Sequence, residues 1–442
     1  MPFSQIFSWG LGSFGSIAYL NIVTALILIY LTTILKIDIA VAGIIVSFGR
    51  IIDAFCDPIM GWITDRTKTR WGRRRPYLLL GAVVCGLALP LLYSAHLFTP
   101  TINPIISGCL LLIIYSLGFT IFNVPYLTMP IEMTTDRMQR FSMMSYRVVF
   151  MMLGGVLGSA GAPFLIEQLG RDATAFQTLG LIGGAIVFIT MLIAFLGTSG
   201  AKASEPTEIQ NSGFNFKEQM RSIVQNKPFC TMIFVKVLQF FAIASVGITM
   251  AFFVTVVLKQ GFNLLALYGI ATTASIMAAI PFWKWLGKFI TKRRGFMIGL
   301  VGEVIATLML LLVTNENAYE LFVARGILNG FFASAILLNS QAMWLDTIDY
   351  DYQRTGLRRE GFFTSIYVFM ERLGYSLGPM VIGFMLGYMG FDQNLPLEQQ
   401  PESAELAVYI GVIWVPVAIY IISFFTLYFY RLPEIINGKE QI

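Results

Sequence analysis

Charge is what this chain has least of. Only 12% of its 442 residues are Asp, Glu, Lys or Arg, against 56% hydrophobic, where soluble domains carry about 25% charged residues. That deficit excludes a solvated globular surface. Histidine occurs once, as His96, so no histidine cluster can hold a metal and any proton carrier must be a carboxylate. The four cysteines, Cys56, Cys85, Cys109 and Cys230, lie in or beside apolar stretches, with spacing that fits neither zinc nor a disulfide framework. There is no Walker glycine loop, metal-ligand cluster or nucleophile elbow, which argues against an enzyme and a bound cofactor. The start, MPFSQIFSWG, lacks the basic region of a cleaved signal peptide.

What the chain does have is apolar runs of membrane-crossing length along its whole extent, with mean hydropathy +0.72. The expectation is an all-α integral membrane protein with twelve transmembrane helices, near 9–35, 40–64, 76–96, 103–130, 142–167, 174–198, 228–258, 262–286, 295–314, 318–347, 360–390 and 405–431. Basic residues gather in alternate loops: Arg66 to Arg75, Arg137 and Arg140, Lys284 to Arg294, and Arg354 to Arg359. The opposite loops hold only Lys36, Arg171 and Lys259. By the positive-inside rule both termini and the basic loops are cytoplasmic, in an inner or plasma membrane. The net charge of +5 then reflects topology, with the lipid bilayer rather than nucleic acid as partner.

One long polar interruption, 200–226, divides the chain into halves 1–199 and 227–442. Shifted by 220 places, GRRR at 72–75 falls on KRRG at 292–295, and Leu153-Gly154 and Leu157-Gly158 fall on Leu373-Gly374 and Leu377-Gly378. An even number of helices per half makes the repeats parallel, the arrangement of the major facilitator architecture. Two complete halves suffice for a monomer.

The sharpest feature is VSFGRIIDAFCDPIMGWIT at 46–64. Arg50, Asp53 and Asp57 fall on one helical face, and each costs roughly 2.5–3.5 kcal/mol at mid-membrane on insertion scales. A helix that carries all three lines a polar cavity. Pro58 also frees the carbonyl at position 54, so oxygen ligands suited to a hard cation converge within about one turn. The alternative is that Arg50 neutralises one acid as a structural pair.

The run DAFCDPIMGWITDRTKTRWGRRRP resembles the signature of the glycoside–pentoside–hexuronide:cation symporter family, supported by FTIFNVPY at 119–126 and DTIDYDYQRTGLRREG at 346–361. The resemblance spans essentially the whole chain. It implies a cation-coupled symporter for a small sugar derivative, with Asp53, Asp57 and Thr120 at the cation site. Cys56 stands where the sodium-coupled melibiose branch has asparagine; a thiol is a poor sodium ligand, which leaves Na+, H+ and Li+ open as the coupling cation. The branch's helix-one Lys-Asp pair is replaced by Ser16 and Ile17, and its helix-four aspartate by Asn123. Its helix-five arginine survives as Arg147, and its helix-eleven lysine matches Arg372, with Glu371 beside it. Loss of the acids argues against galactoside recognition of that style. Two arginines from opposite halves suit an anionic group such as a uronate, sulfonate or phosphate. Arg372 has a second reading, an ion pair with the helix-two acids or another buried group.

Tyr19, Tyr126 and Trp344 are further cavity candidates, with packing as the alternative. Lys236, Glu303 and Arg325 are intramembrane charges placed near enough to helix ends to snorkel. Asp65, Arg66 and Arg74 in one half and Asp349 and Arg358 in the other carry opposite charges that would latch an inner gate; loop solvation is the blander account. Related eukaryotic symporters carry lysophospholipids, so an amphiphile substrate, with Phe331, Phe332 and Leu338 facing its tail, is the alternative function. An uncoupled uniporter or a sensor on the same scaffold is another.

Overall fold

Hydrocarbon offers the backbone no hydrogen-bond partner, so a chain this apolar satisfies its amides within helices. The computed structural model describes residues 2–67, 69–99, 101–134, 137–199, 223–355, 360–430, 432, 434–436 and 439–441. Among the described residues twelve long helices follow one another. The first six are α1 (Phe3–Ile29), α2 (Ile39–Arg66), α3 (Arg75–Tyr93), α4 (Pro104–Met133), α5 (Arg137–Val156, resumed as Ala162–Leu169) and α6 (Ala173–Gly197). The second six are α7 (Lys227–Phe252), α8 (Phe262–Leu286), α9 (Lys292–Leu308), α10 (Ala318–Thr355), α11 (Glu360–Tyr388) and α12 (Glu402–Tyr409, resumed as Val415–Leu427). Eleven are long and apolar enough to cross a membrane; α11 falls outside that set and carries Glu371 and Arg372 at mid-length. The chain is a multi-pass membrane protein. One addition to the all-α expectation is a short antiparallel ribbon, Glu434–Ile436 with Lys439–Gln441.

Local chemistry sets the helix starts. Asp38 caps α2 by accepting from the Ala40 and Val41 amides (2.9 and 3.2 Å), and Asn103, Asn226 and Thr291 cap α4, α7 and α9 in the same way. Asp172 caps α6, accepting from Ala175 N and Thr174 Oγ1 (both 2.8 Å), and these bonds hold its carboxyl below the usual range. The helix α10 runs to Thr355, past the expected end at 347. Hydropathy stops at Asp346, but the helix continues, with Asp346 paired to Lys292 and the buried Asp351 to Arg354.

In the first set α1 packs on α5 and α6, α3 on α4 and α6, and α2 on α4. In the second α7 packs on α11 and α12, α8 on α10, and α9 on α10 and α12. Two main seams join the sets, α2 against α11 and α8 against the end of α5, and α1 also touches α7. A shift of six helices exchanges one seam for the other, as parallel repeats require. A second repeat signal shows only in the folded chain. The helix α1 ends in a π turn, Tyr30–Ile34, and α7 in Phe253–Val257. Each is followed by a lysine in the left-handed region, Lys36 (φ 55) and Lys259 (φ 51). Arg171, after α5, has φ 60. The three basic residues of the outer loops all terminate helices, where positive charge complements the dipole.

The ends of the two sets that the positive-inside rule expects to be outer, at Lys36, Arg171 and Lys259, are in contact. Gly43 and Gly383 bring α2 and α11 nearly backbone to backbone, with a Cβ on Gly383 only 2.7 Å from Ile39 O. Lys36 Nζ donates to Gln393 O (3.0 Å). Glu167 accepts from the Phe262 amide at the start of α8 (2.8 Å) while paired with Arg171. Towards the inner end α2 instead exposes Phe55, Ile59 and Trp62. The two sets are closed against each other at the end that carries Lys36, Arg171 and Lys259.

Candidate functional site

The inward face of α2 carries the expected acids, and Pro58 sits inside the helix beside them. Asp53 is 3% exposed. Thr120 of α4 donates to Asp57 Oδ1 (2.8 Å). The guanidinium of Arg372, from α11 in the other half, holds both acids: Nη1 lies 3.5 Å from Asp53 Oδ2, and Nη2 bonds Asp57 Oδ2. Among the described residues Asp53 Oδ1 has no partner although it is buried. Two carboxylates share one guanidinium, and Asp53 Oδ1 is left as a buried acceptor that a small cation can satisfy.

Arg50 does not neutralise these acids by direct contact. Its Nη2 donates to Thr24 Oγ1 of α1 (2.7 Å); both residues line a small cavity of about 30 Å³ together with Val46, Tyr115, Ser116 and Tyr375. Cys56 is half-buried, one helical turn after Asp53 and next to Asp57, and makes no hydrogen bond among the described residues.

The substrate candidates divide. Ser16 Oγ donates to Asn123 Oδ1 (3.2 Å), so the positions where the melibiose branch carries charge hold a neutral pair that satisfies itself. Arg147 of α5 is half-buried, its carbonyl taken by Ser13 (3.0 Å), and its Nε has no partner among the described residues. Glu371 lies beside Arg372 on α11. Tyr19 and Tyr126 are used in packing: Tyr19 stacks on Tyr115 at 4.3 Å, and Tyr126 on Trp9 at 4.9 Å, each hydroxyl donating to a backbone carbonyl.

Several groups matter more than the sequence suggested. Trp344 and Tyr367 pair their rings at 4.7 Å, and the indole N–H and the phenol both lack partners among the described residues. Gln239 is buried with both amide atoms unpartnered among the described residues. Lys236 donates to Ser340 Oγ (3.1 Å) and lies over the Phe240 ring. Lys236, Glu303 and Arg325 do not snorkel; they are 5%, 3% and 1% exposed. The bundle interior holds them: Asn329 donates to Glu303 (2.7 Å), Tyr268 donates to Asn329 (3.1 Å), and Arg325 lies over the Tyr268 ring. Phe331, Phe332 and Leu338 pack with Trp283 of α8, whose indole N–H donates to Phe331 O (2.8 Å).

At the inner end Arg66 lies 4.0 Å over the Trp62 ring, Arg74 is engaged, and Asp349 is exposed. Arg358 and the Asp65 side chain lie outside the described residues. The ion pairs Lys292–Asp346 and Arg354–Asp351 each lie within the second half.

The family model described as MFS/sugar transport protein matches residues 8–434, and the chain belongs to that family. It is 26% identical to the inner membrane symporter YicJ of Escherichia coli, over 94% of this chain and 88% of that protein. It is 23% identical to the isoprimeverose transporter of Lactiplantibacillus pentosus, over 100% and 92%. It is 25% identical to the sodium-dependent lysophosphatidylcholine symporter 1 of Mus musculus, over 92% and 81%. The crystal structure of the nucleoside transporter NupG shares the fold, with TM-score 0.66 at 14% identity, covering 97% of this chain and 100% of that one.

Proposed function

We propose that this family member is a cation-coupled symporter for a glycoside, uronate or related sugar, with an anionic sugar the preferred cargo. The observation that carries the reading is Arg372, which reaches from the second half to bridge Asp53 and Asp57 in the first. A guanidinium in that position stands in for a coupling cation. When Na+, H+ or Li+ binds Asp53, Asp57 and Thr120, the acids no longer need Arg372. The freed fork can then read a carboxylate or sulfonate together with Arg147, while Asn123, Glu371 and the Trp344–Tyr367 pair meet the hydroxyls and the sugar face. Cation and cargo thus favour each other, and no bond of the cargo is made or broken.

The halves 1–199 and 227–442, joined by 200–226, rock about this site as a monomer, with both termini cytoplasmic. The present state is closed outside. In the opposite state Asp65, Arg66 and Arg74 would meet Asp349 and Arg358 across the inner gate.

The test is thermal stability of the purified chain across sodium, lithium and pH against neutral glycosides, uronates, sulfonated sugars and lysolipids. A uronate or sulfonated sugar that stabilises only alongside one cation is the expected result. Stabilisation by lysophosphatidylcholine and by no sugar would replace this reading with the amphiphile one, which the 25% identity to the mouse protein supports. Stabilisation by a sugar indifferent to every cation and to pH would leave an uncoupled carrier.

A further inference from the structure

The basic run that opens α9 is not spent evenly. Lys292 Nζ pairs with Asp346 Oδ2 (2.5 Å). Arg293 donates to Tyr428 O (3.0 Å) and lies over the Tyr428 ring. Among the described residues no side-chain bond engages Arg294, which is exposed. It stands at the mouth of a groove of about 550 Å³ between α9, α10 and α12, whose other lining includes Ile298, Val301, Ile305, Phe332 and Phe424. Apart from Arg294 the lining is apolar throughout, and no acid among the described residues faces it. The groove floor is fixed by Gly302: the Phe332 ring lies where a Cβ would stand.

We infer that this groove binds one anionic phospholipid, its phosphate on Arg294 and one acyl chain along α9. The dimensions fit. From Arg294 to Ile305 is eleven helical steps, roughly 16 Å at 1.5 Å each, and one leaflet contributes about half of a hydrocarbon core ~30 Å thick. The groove therefore runs from headgroup level to mid-membrane, on the side of the basic loops, where anionic headgroups meet arginine. A planar guanidinium grips a phosphodiester through two parallel bonds, and the unneutralised charge favours a headgroup with net negative charge over a zwitterion. The inference is independent of which cargo the central site takes.

Native mass spectrometry of the delipidated full chain, with phosphatidylglycerol or phosphatidylcholine added at equal concentration, tests it. The parent chain is expected to retain phosphatidylglycerol in preference. Arg294→Gln should lower that retention about fivefold, the factor for one basic residue at an anionic surface, and Arg294→Lys should keep most of it. Val301→Trp, which fills the groove at an exposed position, should lower retention of both lipids. Excess inorganic phosphate should not displace the lipid. Equal retention of the two lipids by the parent, unchanged retention in Arg294→Gln or Val301→Trp, or displacement by phosphate alone would each overturn the inference.

Discussion

Arg372 stands between two carboxylates that would otherwise be buried and uncompensated, and removing one partner of a buried pair typically costs about 3–5 kcal/mol. Arg372→Met keeps bulk and removes charge. In choline buffer the variant should melt below the parent, because Asp53 and Asp57 then repel each other at close range with Asp53 Oδ1 still unpartnered. Sodium should raise its melting temperature by more than it raises the parent's, since the ion enters a site with no guanidinium to displace. Thermal unfolding of both proteins in sodium and in choline checks this. A variant with an unchanged melting point and no larger sodium response would mean that the acids are held by something other than the arginine. The acids themselves were legible in the sequence, because three charges on one face of an apolar helix are too costly to turn towards lipid. Their partner was legible only as one of two readings of Arg372: 315 residues separate it from Asp57, and only the packing of α11 on α2 decides between ion pair and free ligand. The reverse holds for Tyr19 and Tyr126, whose composition suits a cavity wall and whose hydroxyls are nevertheless satisfied inside the first bundle.

At the scale of elements, the outer closure depends on small residues. A Cβ on Gly43 would collide with the Pro379 carbonyl and lie 3.1 Å from Gly383 Cα, so α2 and α11 can approach this closely only without side chains. Gly43→Leu should hold the outer ends apart and favour the outward-open state. A thiol introduced at Val46, now buried beside the small cavity, should react with an external membrane-impermeant reagent at least tenfold faster in the Gly43→Leu background. An unchanged labelling rate would show that the seam does not control outer closure. Hydropathy located twelve segments, since each must span about the same ~30 Å of hydrocarbon, but could not show the π turns at 30–34 and 253–257. One extra residue per turn leaves the apolar run intact. The same limit explains α10, whose polar last turns continue beyond the membrane where composition alone reads as loop.

At the scale of the whole molecule, the two seams, the outer contacts and the central ion pair describe one equilibrium. Arg372 belongs to the second half and its acids to the first, so whatever releases that contact changes how the halves meet. If the cation takes the place of Arg372 on its two acids and the cargo takes up the freed guanidinium, their coupling is a single free energy and must be reciprocal. The factor by which a saturating cation tightens the cargo should equal the factor by which saturating cargo tightens the cation, within the roughly 5–150-fold range usual for such coupling. Calorimetric titration of each ligand in the absence and presence of the other measures both factors. In Arg372→Met both should fall towards one together, because the shared element is gone, although each ligand keeps some affinity of its own through Thr120 or Arg147. Coupling that survives intact in that variant would show that the halves communicate by another route, and Arg372 would then be a structural pair that happens to cross the interface.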